Sequence, residues 1–149
     1  MGMLPDRLVM AMRAAYYIAY NGRQDRPVTS ADIVEHYDLK ERALEPVLQR
    51  LSSEGIIVSI KGPKGGYFVP DPVNTTLKDI VECFFETAID GEGHEHPDAF
   101  DRILFEQVEA GFEKWLGIQS ATSLQYLCNE ARKRHIPTIE SPPPLDFVV

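Results

Sequence analysis

Three groups of side chains in this sequence have types and spacings that suit chemistry. The first is basic. Lys40 and Arg42 stand at the start of an apolar-periodic run, and Lys61 and Lys64 stand in Lys61-Gly62-Pro63-Lys64-Gly65-Gly66, a short loop whose cations suit phosphate oxygens. The second is the pair His94 and His96 within Gly93-His94-Glu95-His96-Pro97. Imidazoles flanking a carboxylate are ligand types for zinc or ferrous iron, although the same alternation is common in solvated turns. The third is the pair of thiols, Cys83 and Cys128, 45 residues apart and so neither a CxxC metal site nor a disulfide framework. There is no glycine-rich phosphate loop after a strand, no nucleophile elbow and no HExxH, so an enzyme is not expected.

The charges decide where a polyanion should be sought. The chain has 149 residues, 44% of them hydrophobic, enough for one domain with its own core. Its formal net charge of -8 argues against nucleic acid only as an average. Residues 1–70 hold nine basic groups against eight acidic ones, whereas residues 71–149 hold six against 15. Such asymmetry suggests two jobs in one chain, with the near-neutral half meeting the polyanion. The longest apolar stretch, Leu8 to Tyr20, is interrupted by Arg13 and falls short of the roughly 20 residues of a membrane span. A cytoplasmic protein with no membrane partner is the expectation.

The elements that must position these groups follow from periodicity. Arg7 to Asn21 reads as a buried helix ended by Gly22. Residues 22–28 read as a polar loop. Thr29-Ser30-Ala31-Asp32 resembles a capping box and opens a short helix through Ile33, Val34 and Tyr37, with backbone N–H groups and two hydroxyls available to a phosphate. After the tight connection Asp38-Leu39-Lys40, the residues Leu44, Val47, Leu48 and Leu51 keep helical spacing until Gly55, which completes a helix-turn-helix. Pro46 removes one helical hydrogen bond and crowds the Arg42 carbonyl, so the recognition helix is expected either to start at or after Glu45 or to have a distorted first turn. Ile56 to Ile60 and Tyr67 to Val69 read as strands, so the hairpin between them forms a wing.

Beyond the turn at 71–74, a helix opens at Thr75 or Thr76 with Leu77, Ile80, Val81, Phe84 and Ala88 on one face. Cys83 lies roughly 240° round from Leu77 at 100° per residue, off that face, where solvent, a partner subunit or an oxidant would reach it as a candidate thiol sensor. A long helix after Pro97 carries the stripe Phe100, Leu104, Val108, Phe112 and Trp115, too broad for one small core and suited to dimerisation. A last helix from about Ser123 to His135 turns Leu124, Leu127, Cys128 and Ala131 inward, and the proline-rich tail reads as extended. The fold class is mainly α with a small β-hairpin. A winged helix-turn-helix occupies residues 4–72, a helical dimerisation and sensing region 73–136, and the tail 137–149. A rival reading is a protein-interaction winged helix that binds no DNA.

The run from Leu39 to Ile57, the wing segment Ile60-Lys61-Gly62-Pro63-Lys64-Gly65-Gly66-Tyr67, and the segments Thr76 to Val81 and Ser123-Leu124 with Leu127 carry a resemblance. Over about residues 4–130 the chain resembles the Rrf-two family of bacterial winged helix-turn-helix transcriptional regulators. The resemblance implies a homodimer, most simply a repressor, on a dyad-symmetric double-stranded DNA operator. By motif position it places Lys40, Arg42, Ala43 and Glu45 at the base-reading helix start and Lys61 at the wing contact; the residues themselves add Gly62 and Lys64 in the wing loop and Thr29 and Ser30 at the start of the preceding helix. Ala43 and Pro46 depart from the family's usual Tyr and Gln types, so the operator sequence does not carry over. Cluster-binding members place three closely spaced Cys in the loop where this chain has His94 and His96. An iron–sulfur cluster is therefore not expected, no cofactor is predicted, and a metal at His94 and His96 remains the alternative sensor.

Overall fold

The computed structural model describes residues 2–89 and 98–139. Among them, the chain forms α1 (Asp6–Asn21), α2 (Ser30–Tyr37), α3 (Glu41–Ser53), β1 (Val58–Ile60), β2 (Gly66–Phe68), α4 (Leu77–Ile89), α5 (Ala99–Gln119) and α6 (Leu124–Lys133). None of these helices is long and apolar enough to cross a membrane. The hub is α1, whose buried residues Leu8, Ala11, Ala14, Ala15 and Ile18 include three alanines. Small side chains let α3, α4 and α6 all pack against it.

The capping box predicted at Thr29 is present: the Asp32 amide donates to Thr29 Oγ1 at 3.2 Å, and the Thr29 amide donates to Asp32 Oδ2 at 3.1 Å. Asp38 ends α2 in the left-handed region at φ 51°, which Asp tolerates better than most residues and which swings the chain directly into α3. The expected late start of α3 is overturned. The helix begins at Glu41, with Pro46 inside it, and the amides of Ala43 and Leu44 both donate to the Lys40 carbonyl, at 3.0 and 3.2 Å. An interior proline costs about 3 kcal/mol, whereas burying each of Leu44, Val47, Leu48 and Leu51 returns about 1.5–3 kcal/mol. Packing wins, and the lost bond falls between two exposed residues, Arg42 and Pro46.

The hairpin pairs Val58 with Phe68, Ser59 with Tyr67 and Ile60 with Gly66 in antiparallel register. It is shorter at its start than expected. The Ile56 and Ile57 amides donate instead to the Leu51 carbonyl, at 3.0 and 3.4 Å, and both side chains close the core beneath α3. The segment read as a polar loop also contributes: Val28 is buried and exchanges two backbone hydrogen bonds with Tyr67, at 2.9 and 2.7 Å. The wing is thereby fastened to the residue that precedes the α2 cap.

The starts of α4 and α6 are joined in the same way. The Leu77 amide donates to the Thr122 carbonyl at 2.9 Å, and the Leu124 amide donates to the Thr75 carbonyl at 2.8 Å. Thr76 and Asp79 form a second reciprocal cap, with amide bonds of 2.8 and 3.3 Å. Ile80, Val81, Phe84, Leu116 and Leu124 join the same buried cluster as Leu8, Ile18 and Leu48, so one core runs beneath both halves. After α6 the chain returns to α1, where the Tyr20 hydroxyl donates to the Ile136 carbonyl and the Ile139 amide donates to Asn21 Oδ1 at 2.8 Å.

Candidate nucleic-acid interface and the helices behind it

The first turn of α3 presents Lys40, Arg42, Ala43 and Glu45 outward, all exposed, because Leu44, Val47, Leu48 and Leu51 take the inward stripe. Thr29 is exposed and Ser30 half-buried at the start of α2. The Val28–Tyr67 bridge places that start beside the wing, and Lys61, Gly62 and Lys64 are exposed at the wing's far end. Fold connectivity therefore gathers the predicted contact residues around the N-terminal end of α3 and the hairpin. Among the described residues, Arg50, Lys78 and Lys133 are held in ion pairs, whereas Lys40, Arg42, Lys61 and Lys64 are in none.

The wing has this shape because residues 65 and 66 lack side chains. A Cβ on Gly65 would lie 2.2 Å from the Ile60 carbonyl oxygen, and one on Gly66 would lie 2.6 Å from the Val28 carbonyl oxygen, at a φ of +155° that disfavours any other residue. The Gly-Gly step lets the hairpin close while β2 lies against Val28.

The stripe on α5 divides. Phe112 and Trp115 pack against the chain's own core with their rings stacked, centroids 5.8 Å apart. Phe100, Leu104 and Val108 are 83%, 59% and 58% exposed, and Ile103 and Phe105 beside them are also exposed. So large an uncovered apolar surface is uncommon on an isolated chain.

The accessibility expected of Cys83 is corrected: it is 8% exposed. Its helix packs on α1 and also on α3, so a second face is covered, and Arg50 of α3 reaches across to donate from Nε to the Cys83 carbonyl at 3.1 Å. Its thiol donates to the Asp79 carbonyl at 3.0 Å, and burial, helped by the Glu54 charge, pushes its pKa up to about 11. Cys128 is buried as expected, and burial raises its pKa also. His94 and His96, with Pro97 and the tail from residue 140, lie outside the described residues.

A capped helix, a tight turn, a second helix exposed at its start and a hairpin tied back to the first make this a winged helix-turn-helix protein, and solved structures of that architecture match it. One is CymR, the global cysteine regulator of B. subtilis, with a TM-score of 0.64 and 21% identity over 87% of this chain and 98% of that one. Another is T. potens IscR, with a TM-score of 0.66 and 19% identity over 91% and 92% of the two chains. At these identities the likeness is one of fold. The sequence goes further: the Rrf2 (Rrf-two) family model, described as iron-dependent transcriptional regulator, matches residues 4–127, and the chain belongs to that family. It is a family of transcriptional regulators, not of enzymes. A relative from Rhodopseudomonas palustris, described as the HTH-type transcriptional regulator BadM, is 29% identical over 138 residues, covering 87% of this chain and 88% of its own.

The described residues do not fit an iron–sulfur cluster. Such clusters are held mainly by thiolates. This chain has two cysteines, both buried and on separate helices. Among the described residues no three His, Cys, Asp or Glu side chains converge as metal ligands.

Proposed function

We propose that this regulator binds a dyad-symmetric DNA operator as a homodimer, acting in the cytoplasm as a repressor. The observation that carries the reading is the set of unpaired cations, Lys40, Arg42, Lys61 and Lys64, around the start of α3 and the wing tip. Arg42 and Glu45 stand on the outer face of a helix of groove-entering size, and the wing lysines reach phosphates beside it. Thr29 and Ser30 add the amide-rich start of α2. Phe100, Leu104 and Val108 supply the second subunit's contact, and a dimer brings a second set of cations to an otherwise acidic chain. The donor set supports a regulator working without an iron–sulfur cluster.

The test is fluorescence anisotropy with DNA from upstream of its own gene across a salt series. Binding should weaken steeply with salt. Lys61→Ala should weaken it on every sequence alike, and Arg42→Ala should also flatten the preference between operator and scrambled DNA. Absence of binding even at low salt overturns the reading in favour of a protein-interaction winged helix.

A further inference from the structure

Four of the chain's six tyrosines gather at one place the DNA-binding reading does not use. Tyr16, Tyr17 and Tyr20 of α1, His36 and Tyr37 of α2, and the segment 136–139 line a half-open cleft of about 430 Å³. Clefts of this size are typical of small-ligand sites. Its walls offer ring faces. The Tyr17 and His36 rings lie 4.8 Å apart, and those of His36 and Tyr37 lie 4.6 Å apart, edge to face. Three of the four phenols turn their hydroxyls to backbone carbonyls: Tyr16 donates to Leu127 at 3.1 Å, Tyr20 to Ile136, and Tyr37 to Arg13 at 3.5 Å.

Charge narrows the class of occupant. No lining residue carries a carboxylate or a permanent cation. Two guanidinium groups already lie against the rings, Arg13 at 5.3 Å from the centre of Tyr37 and Arg132 at 5.7 Å from that of Tyr20. An ammonium ligand would meet these like charges with no carboxylate among the lining residues, since Asp32 and Glu35 act on Tyr17 only from beyond the lining. A flat ring without positive charge stacks on the exposed ring faces and finds a polar partner in the exposed His36 imidazole.

We propose that this cleft is a binding site for a small planar aromatic compound, neutral or weakly acidic. It abuts the last turn of α2, so an occupant bears directly on the Asp38–Leu39 turn into α3. That consequence rests on the DNA-binding reading, whereas binding itself is read on the free protein.

The experiment is calorimetric titration of the full chain, without DNA, using 2-naphthol as probe, trans-2-decalol as its saturated counterpart and tetramethylammonium as the cationic one. The naphthol should bind, and the other two should bind at least about tenfold more weakly. His36→Ala, at an exposed position, should weaken naphthol binding about threefold or more through loss of one ring. Ile136→Trp should fill the cleft and abolish binding. Circular dichroism and the thermal midpoint check that each variant is folded, and if Ile136→Trp is not, His36→Ala decides alone. No naphthol binding at millimolar concentration, equal binding of decalol, or wild-type affinity in the folded variants would each overturn the proposal.

Discussion

The Nε of Arg50 donates to the carbonyl oxygen of Cys83 at 3.1 Å, joining the last turn of α3 to the middle of α4. The same guanidinium pairs with Glu54 at 3.4 Å, one turn on along α3. Because the side chain is about a third exposed, the ion pair contributes little and the hydrogen bond most of what Arg50 adds. Arg50→Ala should lower unfolding free energy by about 1 kcal/mol in urea titrations. It should also weaken DNA binding, since the recognition helix loses a strut.

Burial of Cys83 makes the opposite prediction from an exposed thiol sensor. Its pKa is raised from 9.0 to about 11, so the folded state prefers the neutral thiol. Stability from this preference is fully present below pH 9.0 and is lost as pH rises towards 11. A thiol reagent such as dithionitrobenzoate should label the native protein slowly at pH 8 and both cysteines promptly in denaturant. Rapid labelling of Cys83 in the native protein would restore the sensor role.

Replacing Gly65 or Gly66 by Ala should disrupt the wing and spare the helices. Each added Cβ meets a backbone oxygen, 2.2 Å away at residue 65 and 2.6 Å away at residue 66, and backbone cannot yield as a flexible side chain does. The far-ultraviolet circular dichroism should stay helical while DNA affinity falls at least about tenfold.

Pro46→Ala should stabilise the protein. The substitution returns an amide to the Arg42 carbonyl at an exposed position, against a smaller loss from a freer unfolded chain. A gain of about 1 kcal/mol, read as a rise of about 3 °C in Tm, is expected. No gain would show that the Arg42 carbonyl is already satisfied by another donor.

Much of this fold was legible because its signals are local. The Thr29 cap, the Leu44 to Leu51 stripe, the Gly55 stop and the Gly-Gly wing each follow from side chains within a turn of one another. The misreadings concern neighbours distant in sequence. Pro46 looked disruptive because the burial opposing it comes from α1 and α2. Cys83 looked accessible because a wheel drawn from α4 alone omits Arg50, 33 residues earlier. Val28 gave no strand signal, since its partner Tyr67 lies across the helix-turn-helix. The tyrosine cleft was equally hidden, because α1, α2 and residues 136–139 meet only in the folded chain.

Hydroxyl-radical footprinting on the DNA upstream of its own gene, comparing the chain with its Leu104→Glu variant, tests the dimeric regulator most directly. Leu104 is exposed on one subunit, so a glutamate there leaves the fold intact and places a charge in the apolar contact between two. The account predicts two protected half-sites about 34 Å apart, centre to centre, for the wild-type chain, with loss of both in the variant together with a shift to monomer in sedimentation. A single unsymmetric protection, or a footprint unchanged in a monomeric variant, would contradict it.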